Sequence, residues 1–358
     1  MKILNFGSLN LDNVYQVPHF LQAGETMAAL SEAVHPGGKG LNQSLALARA
    51  GADVYHAGVV GNGSELLTNL LKENGVHDDY LLHRDCTQGS TMIQVSPKGE
   101  NCILLFGQSN HAITKAQVEE TIAAFAPGDY LVLQNEVSCL PEMVEAGAKR
   151  GLHVVLNPSP FDDSLRSLDY NQIRWIFINE VEGHQMTGET APDAILSALR
   201  EKYPALCVVL TLGSAGSICC TPEKTVHQPI FRVQAVDTTA AGDTFTGYFL
   251  AALTQGLPLE TCMARAAAAS AISVTRQGRR RRFRGRRKWM RCCGLDLPCR
   301  MCFFEAVIVK PHTKARIAAV FCPRQSGFSI FSAKCLDSDA ASWFILFTQG
   351  GNQHDGGS

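Results

Sequence analysis

A chain of 358 residues with 46% hydrophobic content can bury the core of one large α/β domain or of two smaller ones. Its formal net charge of -1 excludes a polyanion partner for the chain as a whole, and no apolar run is long enough to span a membrane or to act as a signal peptide. The 13 cysteines, in 1–278 mostly single and set in apolar runs, predict reduced thiols and a cytoplasmic protein rather than a disulfide-bonded one.

In chain order, short apolar runs at 2–6, 53–60, 130–133, 153–156, 175–178 and 206–210 predict strands. Amphipathic segments at 64–74, 114–125, 140–150 and 193–203 predict the helices between them. That alternation predicts an α/β fold with a mostly parallel central sheet and helices on both faces, a three-layer sandwich. Ligands gather at the carboxyl edge of such sheets, so Asn10, Asp12, Glu136, Asn157 and Asn179, each following a predicted strand, are expected on one edge. The runs 91–95 and 101–106, joined by Ser96-Pro97-Lys98-Gly99-Glu100, predict a β-hairpin. With the segments 13–18 and 28–35 it is expected to form a small β lid, drawn from about 13–36 and 90–107. The histidines show no metal-ligand spacing, and Gly58-Val59-Val60-Gly61-Asn62-Gly63 lacks the order of a dinucleotide loop.

Two segments carry chemistry. In Val236-Asp237-Thr238-Thr239-Ala240-Ala241-Gly242-Asp243, small residues leave consecutive backbone N–H groups unshielded ahead of a helical pattern at 244–253. The unpaired amides and dipole of a helix N-terminus favour an anion, and a carboxylate beside them suits phosphoryl transfer to a hydroxyl. The plainer reading is that Asp243 only caps the helix. Far upstream, Gly37-Gly38-Lys39-Gly40-Leu41-Asn42-Gln43-Ser44 runs into a helical pattern at 45–50. Its glycines would let the backbone approach a small polar ligand, with Lys39 and Asn42 aimed at it. It is not a Walker A loop, and alone it could be an ordinary strand-to-helix turn.

Taken together and in this order, the two segments resemble the paired signatures of the ribokinase-like (PfkB) carbohydrate kinase family, over roughly residues 1–278. The second signature departs at Tyr248, where the family usually has Ala or Gly. Further similar stretches are Gly7-Ser8-Leu9-Asn10-Leu11-Asp12, Gly24-Glu25-Thr26, Asn157-Pro158-Ser159-Pro160, Thr211-Leu212-Gly213-Ser214-Ala215-Gly216 and the approach 231–238. The resemblance implies an ATP-dependent sugar kinase, with D-ribose the expected substrate and fructose, deoxyribose or a nucleoside as alternatives. It implies Asp243 as base, with the amides around Ala240, Ala241, Gly242 and Asp243 as anion hole. It implies Asn10, Asp12, Gly38, Lys39, Asn42 and Glu136 on the sugar. Asn179, Thr211, Gly213, Gly216 and Gly242 are implied at the nucleotide, Glu182 acting indirectly on Mg²⁺ and Asp237 with Thr239 at a K⁺ site. A homodimer through the β lid is implied as well, with no nucleic-acid or membrane partner.

The character of the chain changes at Gly278. Arg279-Arg280-Arg281-Arg282-Phe283-Arg284 opens a basic stretch, Cys292, Cys293, Cys299 and Cys302 follow, and no amphipathic period fits a final helix. A basic nucleic-acid-binding tail or a zinc site is conceivable from composition, though the cysteine spacing is poor for zinc. The expectation is that 279–358 is read out of frame or disordered, which leaves a non-catalytic sugar- or nucleotide-binding relic as the rival to an active kinase.

Overall fold

The computed structural model describes residues 1–275 and two short strands further on, Val307–Val309 and Ile317–Ala319. The chain divides into two units between Arg284 and Gly285. The expectations for 279–358 fall outside the described residues, those two strands apart; they pair antiparallel, Val307 opposite Ala319.

In the first unit, side-chain alternation sets the layers. The strands are β1 (Ile3–Phe6), β2 (Asn10–Gln16), β3 (Ser31–Gly37), β4 (Val54–Asn62), β5 (His77–Thr87), β6 (Ser90–Val95), β7 (Asn101–Phe106), β8 (Tyr130–Gln134), β9 (His153–Asn157), β10 (Trp175–Asn179), β11 (Cys207–Thr211), β12 (Ser217–Cys220) and β13 (Thr225–Gln228). The helices are α1 (Lys39–Arg49), α2 (Glu65–Glu73), α3 (Lys115–Ala123), α4 (Leu140–Arg150), α5 (Glu180–Thr187), α6 (Pro192–Lys202), α7 (Ala241–Thr254) and α8 (Leu259–Val274), with short 3₁₀ turns between some of them. A 9-stranded sheet runs β13-β12-β11-β10-β9-β8-β1-β4-β5. Its pairs are parallel from β5 through β11, and β12 and β13 add an antiparallel edge.

Successive residues of a strand face opposite sides of the sheet. Leu131, Leu133, Val154 and Ile176 therefore pack on one face with Val118 of α3, Met143 of α4 and Ile195 of α6. Tyr130, Val132, Val155 and Phe177 pack on the other with Leu45 of α1, Leu71 of α2, Phe249 of α7 and Met263 of α8. The three-layer α/β expectation is met.

A second, 4-stranded sheet has the order β3-β2-β6-β7. It contains the hairpin expected from sequence, since β6 and β7 pair antiparallel with Ser90 opposite Phe106. Its outer strand β7 is exposed along its whole length, Ile103, Leu104, Leu105 and Phe106 included.

Sequence reading did not find β5, β12 or β13. Strand β5 reads HDDYLLHRDCT and buries little besides Leu81, so an edge strand in contact with solvent leaves no apolar run to detect. Helix α1 starts at Lys39, six residues before the helical pattern expected at 45–50. No helix among the described residues is long and apolar enough to cross a membrane.

Candidate active site

The start of α1 is built on the end of β1. The chain leaves Phe6 through Gly7 and Ser8, and Gly40 lies so close above that a Cβ there would stand 2.4 Å from the Ser8 amide nitrogen. Gly38, at φ 93, makes the left-handed turn into the helix that a residue with a side chain would resist. These glycines serve backbone packing and the turn, and Lys39 and Asn42 stand on the first turn of a helix rather than on a loop before it. Glu136, just beyond β8, closes that helix end. Its Oε2 accepts from the Ser8 hydroxyl and, at 3.0 Å, from the Lys39 amide, so a carboxylate sits on the positive end of the α1 dipole.

Helix α7 meets α1 there. Ala240, its N-cap residue, lies at φ 59 and ψ 18, the left-handed region in which non-glycine residues are uncommon. Asp243 follows in the first turn and is buried. Its Oδ2 accepts from Asn42 Nδ2 and its Oδ1 from Gln43 Nε2, each at 3.0 Å. Contact between the helices is close because Gly247 has no side chain: a Cβ there would lie 2.4 Å from the Ala46 Cβ. Of the leading amides, Ala241 N–H donates to Thr238 O at 3.2 Å. Those of Gly242 and Asp243 have no acceptor among the described residues, and Gly242 is exposed.

The charges converge. Burial disfavours the Lys39 ammonium, but Asp243, Glu136 and Glu182 around it more than offset that, and its pKa stands above the ordinary lysine value. Burial holds the Glu136 carboxyl above its usual value, against the opposing pull of Lys39 and of the Ser8 hydroxyl.

Asn10 and Asp12 complete this side. The Leu9 amide can only donate, so Asn110 Oδ1 accepts from it at 3.0 Å and Asn110 Nδ2 faces Asn10 Oδ1 at 2.7 Å. That fixes Asn10 with its own Nδ2 as the donor left over. Asp12 Oδ1 accepts from Thr91 Oγ1 at 2.8 Å, and the carboxylate lies over Gly37, where a Cβ would overlap it.

The remaining expected residues stand at strand ends, at a helix start and in turns further along the chain. Asn179 and Glu182 form a reciprocal capping box at the start of α5, with Glu182 N–H donating to Asn179 Oδ1 at 2.9 Å and Asn179 N–H to Glu182 Oε2 at 3.0 Å. Thr211 ends β11 opposite Asn179 in register, and its hydroxyl donates to Ile178 O. Gly213 and Gly216 bracket the 3₁₀ turn that follows, and Asp237 Oδ1 accepts from the Thr239 amide at 2.9 Å. Among the described residues, no hydrogen bond or ion pair joins Thr211, Gly213, Gly216, Asp237 or Thr239 to the cluster of Lys39, Glu136 and Asp243. No group of three or more His, Cys, Asp or Glu among the described residues could hold a metal by itself.

A family model described as "pfkB family carbohydrate kinase" matches residues 1–282. The chain belongs to the pfkB family of carbohydrate kinases. It is similar to the ribokinase of Haemophilus influenzae, at 34% identity over 286 residues, 76% of this chain and 92% of that one. It is also 30% identical over 290 residues to the deoxyribokinase of Salmonella typhi, covering 78% of this chain and 94% of that protein. Among solved structures, Arabidopsis thaliana ribokinase complexed with ribose and ATP superposes with a TM-score of 0.67 at 27% identity, covering 77% of this chain and 93% of that one. The chain is thus a ribokinase-like phosphotransferase of the pfkB family.

Four residues of this pfkB-family site went unnoticed in the sequence: Ser8 under Glu136, Gln43 on Asp243, Thr91 on Asp12 and Asn110 on Asn10. Gln43 adjoins Asn42 in the glycine-rich segment, and its place one helical turn after Lys39 would have signalled it. For Asn110, some 100 residues from Asn10, no local pattern exists.

Proposed function

We propose that this pfkB-family kinase transfers the γ-phosphate of ATP to the primary hydroxyl of D-ribose, giving ribose 5-phosphate and ADP, with the kinase domain in 1–278. One observation carries the reading: the Asp243 carboxylate is fixed by Asn42 and Gln43 in the first turn of α7, beside the uncommitted amides of Gly242 and Asp243. The ribokinases among the relatives support ribose, and the deoxyribokinase makes 2-deoxyribose the substrate to test against it.

In the proposed reaction, Asn10 Nδ2 donates to one sugar hydroxyl, while Asp12 accepts from others; Lys39, Asn42 and Glu136 border the same pocket, next to the Gly38 backbone. A sugar lacking one of these hydroxyls leaves a buried partner unpaired, which is how such a pocket discriminates. Asp243 takes the proton of the primary hydroxyl as its oxygen forms the new bond to phosphorus and the bond from phosphorus to the ADP oxygen breaks. The Gly242 and Asp243 amides donate to the transferring phosphoryl oxygens, joined by Ala241 once it releases Thr238 O. Exposed Gly242 offers the open backbone approach that a phosphate needs, and the Lys39 ammonium supplies positive charge, so the residues present fit a nucleotide triphosphate. Thr211, Gly213 and Gly216 line its approach, with Asn179 near its phosphates. Mg²⁺, used with ATP in this family, would neutralise phosphate charge; with no protein cage for it among the described residues, it would be held mainly by the phosphates and water, with Glu182 acting indirectly. K⁺ at Asp237 and Thr239 would steady the turn into α7. The exposed apolar residues of β7 fit a second copy of the chain, as a homodimer formed through the small sheet.

An ADP-release assay over ribose, 2-deoxyribose, fructose and nucleosides, with and without K⁺, tests the reading. Turnover is expected to be highest with ribose and stimulated by K⁺. Asp243→Asn is expected to lower kcat by roughly 10²–10⁴-fold with sugar affinity nearly intact. Wild-type turnover in that variant would remove Asp243 from the mechanism, and the absence of phosphorylation with every sugar would sink the function.

A further inference from the structure

Asp243 is one end of a buried hydrogen-bond chain that passes beneath α1 into the sheet, and the polarity of that chain can be worked out link by link. A carboxylate accepts only, so Gln43 turns Nε2 toward Asp243 at 3.0 Å and leaves Oε1 facing inward. Gln134 Nε2 donates to that oxygen at 2.8 Å and to Asn5 Oδ1 at 2.9 Å. Asn5 Nδ2 therefore donates onward, to Gly40 O and to Ser44 Oγ, each at 2.7 Å. Having accepted, Ser44 donates its O–H to His56 Nδ1 at 2.8 Å, and His56 Nε2–H donates to Gly7 O at 3.2 Å. That order requires a neutral imidazole. Burial supplies it, since His56 is fully buried with its pKa pushed down to about 4.

The chain runs where an apolar seam would be expected. Asn5, His56 and Gln134 continue, toward the carboxyl edge, the stripe formed by Ile3, Val54 and Val132, and all three are fully buried. One polar atom is sacrificed to this arrangement: Gln134 Oε1 has no hydrogen-bond partner among the described residues. Turning the amide over would satisfy nothing, because its carbonyl would then face the carbonyls of Gln43 and Asn5. A buried acceptor without a partner destabilises the fold, and apolar residues of the same shape would avoid the loss. Stability therefore does not account for Gln134, whereas the aim of Asp243 does.

We propose that Gln134 is a positioning residue for phosphoryl transfer, its paired N–H bonds holding the inward end of Gln43 so that the Nε2 donor stays aimed at Asp243. This rests on the reading of Asp243 as the base. Without Gln134 the inward end of the Gln43 amide is unheld, and in Gln134→Glu an acceptor there competes with Asp243 for its Nε2; in both cases the donor bond that fixes Asp243 slackens and the carboxylate can swing from the incoming hydroxyl.

The test compares Gln134→Met, Gln43→Met and the double variant, with Gln134→Glu as a second variant in case the first does not fold. Thermal midpoints, kcat and the ribose KM are measured for each. Each single change is expected to lower kcat by about tenfold or more, with KM within roughly threefold, and the double variant to be within about twofold of the worse single. Losses that multiply in the double variant, or a fall in kcat only where the thermal midpoint collapses, indicate a structural role and overturn the proposal. Unchanged kcat in a folded Gln134→Met or Gln134→Glu does the same. Separately, Asp243→Asn at wild-type turnover defeats the base assignment, and this inference with it, whereas Asp243→Asn inactive beside a fully active Gln134→Met defeats the inference alone.

Discussion

Gly247→Ala tests how the site is held. The added methyl would lie 2.4 Å from the Ala46 Cβ, 2.9 Å from Leu47 N and 3.0 Å from Ala46 C. Ordinary carbon contact therefore requires α1 and α7 to part by about 1 Å. The bonds from Asn42 and Gln43 to Asp243, now 3.0 Å each, cross that same gap. Parting stretches them beyond useful range, or else the helices tilt and the misplacement passes to the Asp243 carboxylate. Overpacking of this kind destabilises by about 1–3 kcal/mol. A misplacement of about 1 Å at a reacting group can lower turnover by roughly 100-fold. Urea unfolding followed by far-UV circular dichroism gives the first quantity, and ADP release under saturating ribose and ATP gives the second. Adding Ala46→Gly removes the nearest atom but leaves the two backbone contacts, so it should restore part of both losses. Gly247→Ala with wild-type stability and turnover would refute the claim that this contact sets the distance between α1 and Asp243.

Three further outcomes are expected. Because the folded-state pKa of His56 is depressed to about 4, the unfolded chain binds that proton more readily; stability is full above the unfolded value near 6.5 and falls as pH drops toward 4. Between pH 6.5 and pH 5 the loss should be about 2 kcal/mol, and urea midpoints of His56→Gln should show a shallower acid slope; equal slopes would contradict it. Asn179→Ala removes half of the α5 capping box and should cost about 1 kcal/mol in chemical unfolding, with a change below a few tenths arguing that the cap is idle. Leu104→Lys puts a charge on β7 and should shift sedimentation from the proposed dimer to monomer at micromolar concentration; an unchanged sedimentation coefficient would place any self-association elsewhere.

Much of the layered core was legible, because parallel strands buried on both faces leave continuous apolar runs such as Val154–Leu156 flanked by helical periodicity. Strand β5 was not, since polar residues along a solvated edge carry no such run. At the site, Asp243 and its neighbours stood out because a stretch of small residues before a helix has few structural uses. Gln134 did not: as the last residue of a buried strand it looks like the end of an apolar segment. Its meaning depends on Gln43 and Asn5, which lie 91 and 129 residues away in sequence. Glu182 illustrates the opposite case, in which a local pattern was visible and its immediate use is as local as its spacing, a helix cap.

Ala240 has a consequence for calorimetry. A residue with a Cβ held at φ 59 carries a penalty of roughly 1 kcal/mol that glycine would escape, and the surrounding fold sustains it. A glycine at that place would leave the approach to α7 many shapes, all to be surrendered when an anion docks. With alanine, most of that surrender has been made during folding, so docking of a phosphate should release heat with only a small entropic penalty, and Ala240→Gly should make the same event measurably more entropy-opposed.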